Sequence, residues 1–154
     1  MFATRYMTVL LPFLMMAGIT GTVIGIHDGD TLRLRSGTAT IKVRLFGIDA
    51  PELGQPFSRA SREHLSALTF GKTVQLIPHG KDAFRRQLAE VVLDDGTNVN
   101  HAMVRAGLAY YFRRYARSTT LESAENAARR ERRGVWSVEG LVPPWEYRKK
   151  ERTQ

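Results

Sequence analysis

DGDTLRLRSGTATIKVRLFGIDAPE, residues 28–52, opens with two carboxylates around a glycine and closes with two more, Asp49 and Glu52, around a proline. Between them apolar residues recur at every second position: Leu32 and Leu34, then Ile41, Val43 and Leu45. A period of two means strands with one buried face. Ser36-Gly37, between the two halves, is a hairpin signal. A hairpin returns its ends to one edge, so Asp28, Asp30, Asp49, Glu52 and Arg44 are expected to meet at one end of a sheet. Carboxylates that close repel one another unless a cation lies between them, so the stretch reads first as a metal site.

The flanks extend the pattern. Residues 19–26 (ITGTVIGI) read as a first strand whose glycines permit a bulge or a close backbone approach. Residues 51–56 hold two prolines and a glycine and read as a loop, the usual place for a site at a strand end. Residues 58–70 read as a helix with Ala60, His64, Leu65, Ala67 and Leu68 as its apolar stripe, stopped by Gly71. Residues 73–78 and 84–93 read as strands, the second opposing Ala89, Val91 and Leu93 to Leu88, Glu90 and Val92. Asn100 is the expected N-cap of a short helix ended by Gly107, and residues 108–112 are extended and aromatic. Thr120 is the expected cap of a last helix with Leu121, Ala124 and Ala128 inward; Gly134 closes it and Trp136 pins its end. Residues 143–154 read as a basic charged tail with no packing pattern, suited to contact a polyanion. About five short strands and three helices predict a small closed barrel with helices packed on it, α+β and mainly β, spanning residues 18–142.

Composition narrows the partners. At 154 residues, 43% hydrophobic and 25% charged, the chain is an ordinary single globular domain. Its net charge of +8 and pI near 10.3 are not ordinary. Residues 101–154 carry 12 of the 23 Lys and Arg against 6 of the 15 acids. Such a surface attracts nucleic acid or anionic lipid, unless the charge serves solubility alone. The absence of cysteine excludes disulfides and thiolate metal sites but leaves oxidising compartments open. Residues 7–19 (MTVLLPFLMMAGI) are apolar over a length too short to cross a bilayer comfortably, which suits a signal-peptide core within residues 1–17. The expected location is therefore secreted, periplasmic or cell-envelope. An uncleaved anchor giving transient membrane association, or a misassigned start codon, are the alternatives. The four histidines are scattered without a partner at metal-ligand spacing and are assigned no chemistry.

Four motifs in register carry a resemblance. Asp28-Gly29-Asp30-Thr31, followed by Arg44 leading through Leu45-Phe46-Gly47-Ile48 into Asp49-Ala50-Pro51-Glu52, resembles the staphylococcal nuclease (thermonuclease) family. Residues 82–89 are similar to that family's second arginine motif, residues 99–109 to its next helix and strand, and Arg133-Gly134-Val135-Trp136 to its closing signature. The resemblance covers roughly residues 20–140 and implies an OB-type five-stranded barrel with three helices. It also implies a Ca²⁺-dependent phosphodiesterase leaving a 3′-phosphate and a 5′-hydroxyl. By matching positions, Asp30 and Asp49 would bind the metal together with the backbone carbonyl at Ala50, where the family usually has threonine. Hard oxygen ligands of this kind suit Ca²⁺. Glu52 matches the residue that activates or orients the attacking water, and Arg44 and Arg86 match the guanidiniums that clamp the phosphate. Arg85 stands where the family commonly has glycine, so either arginine is a candidate clamp; strand alternation lets one point inward, and the register favours Arg86. Tyr115 falls near a substrate-contacting tyrosine of the family, although its neighbours differ and tyrosines there also serve packing. The substrate implied is DNA and RNA with little sequence preference, since the site reads the phosphodiester. No stable protein partner is implied, and a monomer is expected.

The competing reading is a nucleic-acid-binding OB-fold module without catalysis, because fold does not dictate activity. A module of that kind gains nothing from Asp30, Asp49 and Glu52 beside a polyanion, where they repel phosphate. An envelope protein whose tail binds anionic lipid likewise leaves the acids unexplained.

Overall fold

The structure is a computed structural model and describes residues 18–153; the apolar leader read at residues 1–17 lies outside the described residues. The opening stretch forms the expected hairpin. β1 (Ile19–Ile26) pairs antiparallel with β2 (Thr31–Ser36), with a bulge between Val23 and Gly25. β2 in turn pairs with β3 (Ala39–Leu45) in unbroken register, from Thr31 opposite Arg44 to Ser36 opposite Ala39. The short β4 (Ile48–Asp49) leads to α1 (Ser58–Thr69), then to β5 (Thr73–Lys81) and β6 (Gln87–Leu93).

β1, β2, β3, β6 and β5 close, in that order, into a five-stranded barrel. Every pairing is antiparallel except β3 with β6. Closure pairs both flanks of every strand and removes the open edge that would invite aggregation. The interior follows the period-two pattern: Leu32, Leu34, Val43, Leu45, Val74, Leu76, Ala89 and Val91 are buried. Each buried Val or Leu contributes roughly 1.5–3 kcal/mol over leaving it in water. Arg33, Arg35 and Lys42 alternate outward and are exposed. This is the OB-type α+β architecture that the resemblance implied.

Three helices follow: α2 (Val99–Arg105), α3 (Thr119–Arg130) and α4 (Pro144–Glu151), with β7 (Tyr110–Tyr111) between the first two. The total is four helices rather than about three, because residues 144–151, read as a tail without packing, are helical. Caps also differ from expectation. Asn98, not Asn100, caps α2 by accepting from the His101 N–H, and Ser118, not Thr120, caps α3 by accepting from the Leu121 N–H. Asn100 is instead buried as a brace. It accepts from Val91 N (3.0 Å) and donates to the carbonyls of Phe46 (2.9 Å) and Ala89 (3.2 Å), tying β6 to the turn after β3.

The buried face of α1 is Ser61, Leu65 and Thr69, not the purely apolar stripe expected, and Ala67 is exposed. Small hydroxyl residues can line a packed face when their oxygens are satisfied. Ser61 donates to the Leu108 carbonyl (2.6 Å) and Thr69 to the Leu65 carbonyl (2.7 Å). Gly29 is what lets α1 in so close: a Cβ there would sit 1.8 Å from Ser61 Oγ. On α3, Leu121, Ala124 and Ala128 face inward as read, and the Arg129 guanidinium lies 4.0 Å over the Trp136 ring.

Candidate active site

The acidic turn between β1 and β2 and the loop after β4 come together at one end of the barrel, lining a cleft of about 700 Å³. Asp28 shapes the turn by accepting the Asp30 N–H (3.0 Å). Asp30 is 5% exposed and accepts from Thr31 Oγ1 (3.1 Å) and from the Ala50 N–H (2.7 Å), so strand start and loop are joined through its carboxylate. Asp49 is 1% exposed, on the strand β4 that pairs with β7 opposite Tyr110. Burial pushes the Asp30 carboxyl up to about 6, against the pull of the Arg44 charge and with the push of Asp28. Burial raises Asp49 as well, against a hydrogen bond from Arg148.

Arg44 binds these two acids together. Its Nη2 lies 3.1 Å from Asp30 Oδ2 and 3.0 Å from Asp49 Oδ1, so those oxygens are no more than about 6 Å apart. Its Nη1 donates to the carbonyls of Leu45 (3.0 Å) and Ile48 (2.9 Å), which fixes the guanidinium to the backbone. Glu52 is half-exposed at the mouth, its N–H held by Gln55 Oε1 (2.9 Å).

Arg86 faces into the cleft from the turn before β6. Asp82 organises that turn, accepting the N–H groups of Phe84 and Arg86 (both 2.9 Å) and the Arg86 Nε (2.6 Å). Although burial opposes it, the bond from Arg86 holds the Asp82 carboxyl below its usual range. Strand alternation is not what separates the two arginines, since β6 begins only at Gln87. Arg85 occupies the left-handed region (φ +62°), a conformation glycine adopts freely, and is exposed; Arg86 lines the cleft. Tyr115 is 65% exposed on the lip, its ring 5.0 Å from Phe112, whereas Tyr110 and Tyr111 are buried packing residues.

Comparison with known proteins places the chain as a whole. The family described as staphylococcal nuclease homologue matches residues 42–138. An uncharacterized endonuclease of Escherichia coli O157:H7 is 39% identical over 132 residues, covering 86% of each chain. A micrococcal nuclease of Shigella flexneri is 37% identical over 143 residues, covering 86% of this chain and 82% of its own. This chain belongs to the staphylococcal nuclease family. A staphylococcal-like nuclease of Arabidopsis thaliana is 31% identical over 111 residues, covering 72% of this chain and 34% of its own.

The donors of this staphylococcal nuclease family member fit a hard cation. Among the described residues no three His, Cys, Asp or Glu side chains converge as a ligand set. Two carboxylates with a neighbouring peptide oxygen is the smaller set expected for Asp30, Asp49 and Ala50. Oxygens up to about 5 Å apart can share one Ca²⁺ ion, and their common contact with Arg44 Nη2 keeps Asp30 Oδ2 and Asp49 Oδ1 within about 6 Å of each other.

One cleft residue was missed. Arg148, from α4, points its fork at Asp49, with Nη2 2.8 Å from Oδ2 and Nη1 3.2 Å from Oδ1, and also donates to Glu52. Those carboxylates raise its already high pKa despite partial burial. The signal available was Trp145 beside Tyr147, two aromatics in a segment otherwise read as solvated charge. Trp145 stacks on Phe112 at 5.1 Å and meets Tyr110 edge-on at 5.7 Å, docking α4 against the loop side of the site.

Proposed function

We propose that this protein is a Ca²⁺-dependent endonuclease that hydrolyses DNA and RNA with little sequence preference. The coarser statement, that it is a nuclease hydrolysing nucleic acid, follows from its family and from relatives named endonuclease and micrococcal nuclease. The observation that carries the finer reading is the gathering of Asp30 and Asp49 on one guanidinium, with Glu52 at the mouth and Arg86 across the cleft. In this reading Asp30, Asp49 and the Ala50 carbonyl hold the divalent ion, which when bound supplies positive charge at the phosphate. Arg44 and Arg86 hold the phosphodiester and stabilise the charge that grows on its oxygens. Glu52 takes a proton from the attacking water. The water oxygen bonds to phosphorus as the P–O5′ bond breaks, and the departing 5′ oxygen takes a proton from solvent, leaving a 3′-phosphate and a 5′-hydroxyl. In this reading Tyr115, exposed on the lip, stacks on a base without reading its edge.

The deciding experiment incubates residues 18–154 with plasmid DNA and with RNA, with Ca²⁺ and with excess EGTA. Nicking that requires Ca²⁺ is expected, and undiminished activity in EGTA would overturn the metal reading. Binding without cleavage would leave the non-catalytic module. The apolar run in residues 7–19 supports an exported or envelope-associated enzyme. Among the described residues no helix is long and apolar enough to cross a membrane.

A further inference from the structure

We propose that Arg148 is a positioning residue that acts as a place-holding cation: its guanidinium arranges Asp49 and Glu52 until a divalent ion takes its place on those oxygens. The inference rests on the metal reading of the site proposed above.

Two arginines touch the buried acids, and they are built differently. Arg44 sits on β3 and spends Nη1 on the backbone carbonyls of Leu45 and Ile48, an anchor that does not depend on the carboxylates. Arg148 sits on α4, and every hydrogen bond its guanidinium makes among the described residues goes to Asp49 or Glu52. It takes both oxygens of Asp49 in a fork, and Arg44 shares one of them. A divalent ion that used Asp49 as a ligand would lie within a few ångströms of that guanidinium, where like charges repel strongly at low dielectric. The ion and the Arg148 fork therefore compete for the same carboxylate.

Charge balance points the same way. With Arg44 and Arg148 in place, Asp30, Asp49 and Glu52 carry one uncompensated negative charge; a dication in place of Arg148 makes the group neutral. The exchange needs little movement. Trp145 stays stacked on Phe112, and Gln55 Nε2 holds the Val142 carbonyl (2.8 Å), so α4 remains docked while the Arg148 side chain turns away. Its side chain is 32% exposed, with solvent beside it to turn into. Left behind at the rim, the released guanidinium adds a further cation facing the polyanion.

The test is Ca²⁺ binding by calorimetry, at fixed pH and ionic strength, to the full chain and to Arg148→Ala, Arg148→Lys and Arg152→Ala. Arg152 lines the same cleft and serves as the control for general charge. Arg148→Ala is expected to bind Ca²⁺ at least ~10-fold tighter, Arg148→Lys to fall between it and wild type, and Arg152→Ala to change by less than about threefold. Without Ca²⁺, Arg148→Ala should melt at a lower temperature than wild type, and its gain in melting temperature on adding Ca²⁺ should be larger. Equal or weaker binding by Arg148→Ala overturns the exchange while leaving the metal reading intact. So does tightening by Arg152→Ala as great as that by Arg148→Ala. If wild type and both Arg148 variants all fail to bind Ca²⁺, the metal reading itself falls, and the exchange with it.

Discussion

Asp30 carries two jobs that pull against each other. It is buried where it joins the Ala50 N–H to the turn, and under the function proposed above it must be ionised to hold a cation. Burial wins in part, lifting its carboxyl from 3.8 to about 6. Because the folded state holds this proton more tightly than the unfolded chain, the group's contribution to stability is full below pH ~4 and is lost as pH rises through ~6. Calorimetry of the Ca²⁺-free protein should show that loss between pH 4 and 6, and Asp30→Asn should lack it. Ca²⁺ affinity should run the other way, weakening as pH falls below 6, since the ion must displace the proton. Asp30→Ala and Glu52→Ala should each lower the nicking rate at least ~100-fold with the fold intact. Arg44→Lys should also be strongly impaired, because one ammonium cannot span two carbonyls and two carboxylates at once. A near-normal rate for the lysine variant would count against the clamp.

Barrel strands declare themselves by alternation, and Leu32, Leu34, Val43 and Leu45 are buried as that pattern requires. Helix faces do so less well. Ser61 and Thr69 pack inward because their hydroxyls find carbonyls, and letters alone do not reveal such partners. Asn100 looks like a cap and is a brace, since the choice between the two depends on Phe46, 54 residues away. Arg148 was hidden for a related reason: it reaches Asp49 across 99 residues, from a segment whose charge masks its single docking face. That Asp30, Arg44, Asp49 and Glu52 meet was readable because one hairpin and the short segment after it carry all four. The turn before β6 yields a separate test. Arg85 at φ +62° bears a left-handed cost of roughly 1–2 kcal/mol that glycine avoids. Arg85→Gly should raise stability by about 0.5–1 kcal/mol in urea unfolding and leave cleavage near wild type. Asn100→Ala, by contrast, strands Val91 N and the Phe46 carbonyl, while the Ala89 carbonyl keeps the Phe46 N–H (2.8 Å), and should cost about 2–4 kcal/mol.

The net charge of +8 is distributed differently from its place in the sequence. Much of the C-terminal excess is spent internally: Arg105 and Arg133 pair with Glu131, and Arg113 and Arg129 pair with the buried Glu125. Such pairing cancels part of the field these four cations present to a polyanion. The exposed Lys42 and Lys81 on the cleft rim are left to draw in nucleic acid. KM for plasmid DNA should therefore rise steeply with NaCl. Lys42→Gln with Lys81→Gln should raise KM and flatten the log–log salt slope by about 1–2, with kcat moving less. An unchanged slope would show that the substrate approaches by another path.

The fit of Ser61 against Gly29 has a consequence for anyone mapping this enzyme by random mutagenesis. A library scored for lost cleavage would flag position 29 as strongly as the aspartates on either side of it, although it has no functional group to offer. Its intolerance is a matter of room, and a compensating Ser61→Gly replacement should recover part of the activity that Gly29→Ala destroys, something no second-site change would do for a missing carboxylate.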